Sequence, residues 1–505
     1  MNLNWMLERA ARTFPEKEAI VSDLQTLSYR ELLDTTKRAA QVFRDLGVAP
    51  GDRVGVMTYN TPAFIIAAFG LWRAGAALVP INHKFTATEV KYVAEHASLG
   101  LIVGDADFEA QITKGAPNAR LLTTTDDASG EFDTLVAAAK PWDGVEVTGD
   151  MIAQVLYTSG TTSSPKGCLH THAGLSGVPA YTTAAVGLRR EDRFLIAMPI
   201  WHASPLNNWM LSMVYLAGTI VLLKEYHPVH FLATVEKHRA TAFFGAPIAY
   251  LAPLKVLPTI DKQLSDFDLT SMRLWAYGGA PMGAQTVQML QQAYNTDNFY
   301  QVYGMSEMGP VGSALYPEEQ VQKAGAIGAG GMPGVDIRVV KEDGEPASAG
   351  EVGEIWIRSS TRMQGYLNNP EATADVFDGD WYLSGDLARI DEDGYLTIVD
   401  RLKDVVITGG ENVYSPEVEE ALRQHPEIID AAAVGRPHEE WGETLVAVIE
   451  ATEAGASLTI EEVREFLSTQ LAKYKMPREL VFSAQLPRNP SGKIMKHVLR
   501  AELTA

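Results

Sequence analysis

Short apolar runs alternate with amphipathic or apolar helical patterns through most of the first 400 residues, and this alternation constrains the fold more than any other feature. "DRVGVMTYN" reads as a strand, "TPAFIIAAFGLWRAG" as an apolar helix closed by glycine, and "AALVPIN" as the next strand. "KFTATEVKYVAEHAS" followed by "LGLIVGD" repeats the unit. Strands that are apolar on both faces and separated by helices predict parallel sheet covered on both sides. From Gly334 to Val399 the texture changes to short strands broken by "EDGEPASAGEVGE" and "DEDGY", which predicts a small antiparallel or barrel-like portion. A boundary follows in "IVDRLKDVVITGGENVYSPEVEEAL". We therefore expect two domains, residues 1–400 and 401–505, the second a compact α+β domain with helices in "SPEVEEALRQH" and "IEEVREFLSTQLA". A chain of 505 residues is too long for one ordinary core, which agrees.

The strand "MIAQVLY" runs into "YTSGTTSSPKG", Tyr157 to Gly167. Ser, Thr and Gly compete with or weaken helix, so this is a loop. A solvated turn is the plain reading. Against it, Gly160 and Gly167 remove Cβ atoms where backbone could approach a ligand, and the hydroxyls and N–H groups suit anionic oxygens. Lys166 adds a point charge of the kind used on phosphates. This is not the P-loop, which needs four residues between its first Gly and Gly-Lys, then Ser or Thr. Pro165 precedes Lys166 here and Gly167 follows it. A triphosphate-binding loop of another kind is the expectation.

Charge makes such a pocket necessarily local. With 42 basic against 63 acidic residues the net charge is −21, which disfavours nucleic acid or an anionic membrane as the main partner. A single cysteine, Cys168, excludes an intramolecular disulfide and a cysteine-built metal site, and suits a reducing cytosol. The longest apolar run, Trp209–Leu223, is fifteen residues and contains Gly218 and Thr219. That is short of the roughly 20 needed to cross a bilayer, so buried helix and strand are expected, and no integral membrane segment. The N-terminus shows no apolar signal core, and a cytoplasmic location is expected.

Four further stretches accompany the loop: "YGGAPM" (Tyr277–Met282), "YQVYGMSE" (Tyr300–Glu307), "YLSGDLA" (Tyr382–Ala388) and "PRNPSGKIMK" (Pro487–Lys496). The third puts Asp386 in an expected tight Gly-Asp turn. In this order and at these separations the chain resembles, over essentially its whole length, the AMP-forming acyl-adenylate family of acyl-CoA synthetases, luciferases and adenylation domains. "GGENVYSPEVE" and "LAKYK…PRNPSGKI" are most similar to free-standing acyl-CoA synthetases.

The resemblance implies an α/β fold: a large N-terminal domain of two parallel-sheet-and-helix lobes plus a small barrel, then a small mobile α+β domain. It implies ATP, Mg²⁺ and coenzyme A, with a carboxylic acid converted to acyl-AMP and then to a thioester. In-line attack on the α-phosphate needs a cation and donors to offset crowded charge. Thr158 and Glu307 match the metal-associated positions. Thr161, Thr162 and Lys166 match the loop over the outer phosphates, with Ser159 and Gly160 beside them. Lys493 matches the lysine bridging carboxylate and α-phosphate. Gly279, Ala280 and Gln301 match the adenine edge and Tyr303 its face, with Pro281, Gly304 and Ser306 also matching nucleotide-binding positions. Asp386 is suited to the ribose hydroxyls, and Arg401 also matches a ribose contact. Lys403 matches a hinge, Gly410 in "TGGEN" a thioester-side segment, and Trp441 is a candidate wall of the CoA path, packing being the alternative.

Two positions depart from the family pattern: Ser163 stands where glycine is usual, and Ser306 where threonine is commoner. "MPIWHASPLNN" (Met198–Asn208) matches the acyl-pocket segment, His202 there resembling a gate rather than a base. Asn207 and Asn208 add polar atoms to an otherwise apolar wall, so a medium or long-chain fatty acid or a ring-bearing acid fits. Delivery to an amine or a carrier protein is the enzymatic rival, and an inactive scaffold the other. Oligomeric state stays open, a homodimer being one option.

Overall fold

The computed structural model describes residues 1–158, 165–280, 282–408, 411–438, 441–488 and 494–504. The chain forms two compact units: Met1–Ile337 with Ile357–Tyr382, and Arg338–Trp356 with Leu383–Ala505.

Two mainly parallel sheets build the first unit, as the alternation predicts. One has the order Gly365–Tyr366, Lys166–Thr171, Ile152–Thr158, Ala77–Pro80, Arg53–Met57, Leu101–Asp105, Arg120–Thr124. Its last five strands are parallel, and Lys166–Thr171 turns back antiparallel on Ile152–Thr158. The other runs Gly312–Leu315, Phe299–Gly304, Leu274–Gly278, Ala242–Gly245, Arg193–Ile196, Thr219–Leu222, Glu18–Val21, Thr26–Ser28, antiparallel only at its two edges.

The helices form where the sequence says they should. Pro62–Ala74 starts with proline, whose missing N–H costs nothing in the first turn, and every one of its residues is buried. Helices Tyr29–Asp45 and Ala87–His96 begin with capping boxes, Ser28 with Glu31 and Thr86 with Glu89. The run Trp209–Leu223 resolves into the end of a π-helix, helix Leu211–Leu216 and strand Thr219–Leu222, buried except for the half-buried Tyr215 and Leu216. Phe231, Phe243, Tyr250, Trp275 and Phe299 pack under the second sheet and fix its strands against their helices.

In the second unit, strands Glu411–Val413, Val406–Thr408, Gly442–Ala451 and Ile428–His438 lie side by side, and Glu479–Phe482 adds parallel to Gly442–Ala451. Alternate residues of Ile428–His438 serve two cores. Ala431 and Ala433 pack with Val418, Leu422 and Val463, whereas Ala432 and Val434 pack with Leu486 and Leu499. The period of two thus places helices on both faces. The short strands expected between Gly334 and Val399 are also formed, Trp381–Ile390 pairing antiparallel with Leu396–Arg401.

Candidate functional site

Strand Ile152–Thr158 and its return Lys166–Thr171 set the first group of side chains by register alone. Thr158 faces Lys166, Leu156 faces Cys168, and Gln154 faces His170. Opposed residues share a face of the sheet, so Lys166, Cys168 and His170 form one row. Lys166 is therefore the first residue of a strand rather than part of a free loop. Ser159, Gly160, Thr161, Thr162 and Ser163 lie outside the described residues.

Glu307 reaches the same row from the turn Ser306–Met308, which follows strand Phe299–Gly304. Tyr366 donates its hydroxyl to Glu307 Oε1 at 3.1 Å, and Tyr366 pairs with Cys168 in the next strand. The Lys166 ammonium sits 4.9 Å from the centre of the Tyr366 ring. Tyr382 hydrogen-bonds Tyr366 in turn, and burial, followed by the Glu307 charge, pushes both phenols far up. Both remain protonated donors, so a relay of hydroxyls points at the carboxylate. The buried Cys168 thiol is raised well above its ordinary value by burial and then by Glu307, while a hydrogen bond with Thr158 opposes this. Thr158 and Glu307 thus both act on one buried, protonated thiol.

Main-chain bonds hold the Glu307 turn at each carbonyl. Ser306 O lies 2.8 Å from His170 Nε2, Glu307 O accepts from Met363 N at 2.7 Å, and Met308 O accepts from Thr361 Oγ1 at 2.8 Å. His170 is fully buried, and burial holds its pKa down to about 4. The ring is neutral at physiological pH.

Beside this turn, parallel pairing sets Gly278 against Val302. A Cβ on Gly278 would meet Val302 O at 2.4 Å, so no larger residue fits. Gly279 follows with φ +78°, a left-handed step open to glycine, and it and Ala280 emerge exposed at the carboxyl end of the strand. Gln301, buried on the neighbouring strand, accepts from Tyr277 Oη at 3.1 Å, and burial raises Tyr277 to about 12. Tyr303 and Gly304 end that strand. Ligands of open parallel sheets bind outside such carboxyl ends. Pro281 lies outside the described residues.

His202 belongs to a different environment. Its ring centre is 3.9 Å from that of Trp201, whose Nε1 donates to His83 Nδ1 at 3.0 Å. Burial, with His83 second, lowers His202 to about 4, and burial lowers His83 equally. The next residues, Ser204–Met210, form a π-helix, a wide turn that is common at functional sites. Trp209 stacks between Phe194 (4.9 Å) and Phe244 (5.3 Å). Asn208 Nδ2 donates to Pro310 O at 3.2 Å, whereas both amide atoms of the fully buried Asn207 lack a partner among the described residues.

In the second unit Asp386 and Arg401 are register partners with an ion pair of 2.6 Å. Asp386 does not sit in a turn as expected. It lies within strand Trp381–Ile390, because Gly385 takes φ +70° and the strand absorbs the kink without ending. Lys403 is exposed in the segment after Leu396–Arg401, flanked by Asp400, which accepts from Ser415 N at 2.7 Å, and Asp404, which accepts from Arg500 at 2.7 Å. Trp441 is partly exposed beneath the Arg478 guanidinium, 4.2 Å from its ring centre. Gly410 and Lys493 lie outside the described residues.

The first unit therefore brings Thr158, Lys166, Ser306 and Glu307 together, with Gly279, Ala280, Gln301, Tyr303 and Gly304 on adjoining strand ends. His202 keeps to an aromatic cluster of its own, and in the second unit Asp386 pairs with Arg401. Sequence reading missed Tyr366, Tyr382, His170, Thr361 and Met363. The "GY" at Gly365–Tyr366 is a strand of two residues, too short to carry a periodic signal.

A family model described as AMP-binding enzyme matches residues 7–367, and one described as AMP-binding enzyme C-terminal domain matches residues 417–493. The chain is 32% identical to a long-chain-fatty-acid–CoA ligase, FadD13, of Mycobacterium tuberculosis strain H37Rv, covering 100% of this chain and 99% of the relative. It is 34% identical to a feruloyl-CoA synthase of an Amycolatopsis species, over 98% of each. The ATP-bound structure of MatB from Rhodopseudomonas palustris superposes with a TM-score of 0.88 at 30% identity, over 99% of each chain.

Proposed function

The chain belongs to the AMP-binding enzyme family, and we propose from this premise that it is an AMP-forming acid–thiol ligase. The observation that carries the reading is the meeting of Lys166, Thr158 and Glu307 around Cys168 and Tyr366, at the strand end from which the phosphate loop departs. A cation, a hydroxyl and a carboxylate fixed there suit a nucleoside triphosphate better than any uncharged ligand.

In the first step a carboxylate oxygen of the acid bonds to the α-phosphorus of ATP and the bond to the bridging oxygen breaks, releasing pyrophosphate. Lys166 takes the outer phosphates, and Lys493 offsets the repulsion where carboxylate and α-phosphate meet. The Thr158 hydroxyl and Glu307 carboxylate are hard oxygen donors facing one buried thiol, and they fit Mg²⁺, which keeps most of its ligands from water and phosphate. Bound there, the ion would spread the phosphate charge. Tyr366 keeps the carboxylate aimed by donating to it. Adenine lies along Gly279, Ala280, Pro281 and Gln301 under Tyr303, and Asp386 with Arg401 takes the ribose. In the second step the CoA sulfur bonds to the acyl carbon and AMP leaves.

We place the functional boundary between residues 400 and 401, with Lys403 as the hinge that exchanges Lys493 for the Gly410 segment between steps. Trp441 is assigned to the CoA path. The acid is a medium or long-chain fatty acid or a related ring-bearing one, its wall running through His202 and Trp209. No helix among the described residues is long and apolar enough to cross a membrane. A cytoplasmic site of action agrees with the buried free thiol of Cys168, and a homodimer is the assembly we would test first, by light scattering. The deciding experiment is pyrophosphate release across short, medium, long-chain and aryl acids, with and without CoA. The reading expects acid-dependent release in both cases and a thioester only with CoA. Release without any thioester would assign the acyl group to another acceptor.

A further inference from the structure

The turn that carries Glu307 is 136 residues away in sequence from the strand that carries Lys166, yet one hydrogen bond joins them directly. His170 stands in the same row as Lys166 and Cys168, opposite Gln154, and is fully buried. Its Nε2 lies 2.8 Å from the Ser306 carbonyl oxygen. A carbonyl only accepts, so the proton is on Nε2 and the ring donates. Ser306 immediately precedes Glu307 and also opens the turn by accepting from Gly309 N at 3.1 Å. The other two carbonyls of the turn are held from the segment containing Thr361 and Met363. Of the side chains that hold the turn, His170 comes from the strand bearing the phosphate lysine. It thus ties the Glu307 turn to the strand that carries Lys166.

We infer that His170 is a positioning residue for Glu307: its Nε2–H, donated to the Ser306 carbonyl, sets the carboxylate in register with Lys166 for the triphosphate and its cation. The inference rests on the nucleotide reading proposed above. An apolar side chain at 170 would fill the row but leave that carbonyl without its link to the strand. The turn would then sample other positions and nucleotide binding would weaken, while the stacked rings of the acyl wall, Trp209 between Phe194 and Phe244, belong to other elements. Partners that orient a metal-binding carboxylate typically matter by about 10- to 100-fold in affinity or activity.

The test compares His170→Leu, which cannot donate, with His170→Gln, whose amide can. Calorimetric titration of the purified full-length proteins with ATP in excess Mg²⁺ gives a readout independent of turnover, and pyrophosphate release gives half-saturation for ATP and for acid. The expected result is ATP binding weakened about 10-fold or more in His170→Leu, acid half-saturation within about two-fold of wild type, and recovery of most of the loss in His170→Gln. Wild-type ATP affinity in His170→Leu would overturn the inference. So would equal loss in both variants accompanied by an equal fall in melting temperature, since His170 would then be a core filler. Absence of ATP binding in the wild type itself would instead bring down the nucleotide reading, and this inference with it.

Discussion

Two walls of the first unit, the Lys166–Glu307 side and the Trp201–Met210 side, are built on opposite plans. On the first, charged groups are fixed by hydrogen bonds: Tyr366 to the Glu307 carboxylate and three donors to the carbonyls of its turn. On the second, rings stack on rings, Trp209 between Phe194 and Phe244 and His202 on Trp201, and a π-helix replaces regular backbone. Directional bonds hold individual atoms within a few tenths of an ångström, which charge stabilisation requires. Stacked rings define a volume, which tolerates substitution of one apolar group for another. Under the function proposed above, the hydrogen-bonded side would serve any acid and the aromatic side would select among acids.

The sharpest way to break this contrast is Glu307→Gln, which keeps shape and removes charge. We expect acyl-AMP formation to fall about 10²- to 10³-fold with the melting temperature little changed, followed as acid-dependent pyrophosphate release. Near-normal turnover at limiting Mg²⁺ would mean the hydrogen-bonded wall does not work by charge. Lys493→Ala should come next, slowing the first step by about 10- to 150-fold, the worth of a charge-assisted hydrogen bond. Synthetic acyl-AMP with CoA bypasses that step and should be used at close to the wild-type rate; equal loss there would show a shared or structural role.

On the aromatic wall, His202→Ala should change the chain-length profile by about ten-fold, the low end of one methylene's worth of pocket contact. ATP affinity by calorimetry should stay as in wild type. A flat profile with weakened ATP binding would erase the division between the two walls.

Smallest at neutral pH is an effect shared by both. Burial depresses His170 on one side, and His83 and His202 on the other, each to about 4 against an ordinary 6.5. The unfolded chain then binds more protons than the folded one between these values. Stability is complete above pH 6.5, falls as pH drops toward 4, and levels off below, by up to roughly 3 kcal/mol per ring. Urea midpoints from pH 7.5 to 4.5 measure the slope. Removing His170 and removing His202 should flatten it by similar amounts, because desolvation and not function sets both shifts.

Much of the first wall was legible in the chain. An apolar β-rich run, then Ser, Thr and Gly, then Lys166 marks the end of a strand, because those residues weaken helix. The supports of the Glu307 turn were not legible. Thr361 and Met363 occupy an irregular stretch between strands Val352–Ser359 and Gly365–Tyr366, with no period to read. His202 was visible as a residue, but its neighbour His83 is 118 residues from Trp201, and the stacked arrangement follows from packing alone.

By itself, then, the sequence determined the parallel sheets, since apolar strands between helices have no other way to bury both faces. It also determined which residues of Lys166–Thr171 share a face, since period-two alternation is a local property. Tertiary structure alone decided that the Ser306 carbonyl meets His170 and that Glu307 meets Tyr366. Those pairings join segments 136 and 59 residues apart. They depend on the register of Lys166–Thr171 against both neighbouring strands, which long-range packing of two sheet faces selects and no local pattern encodes.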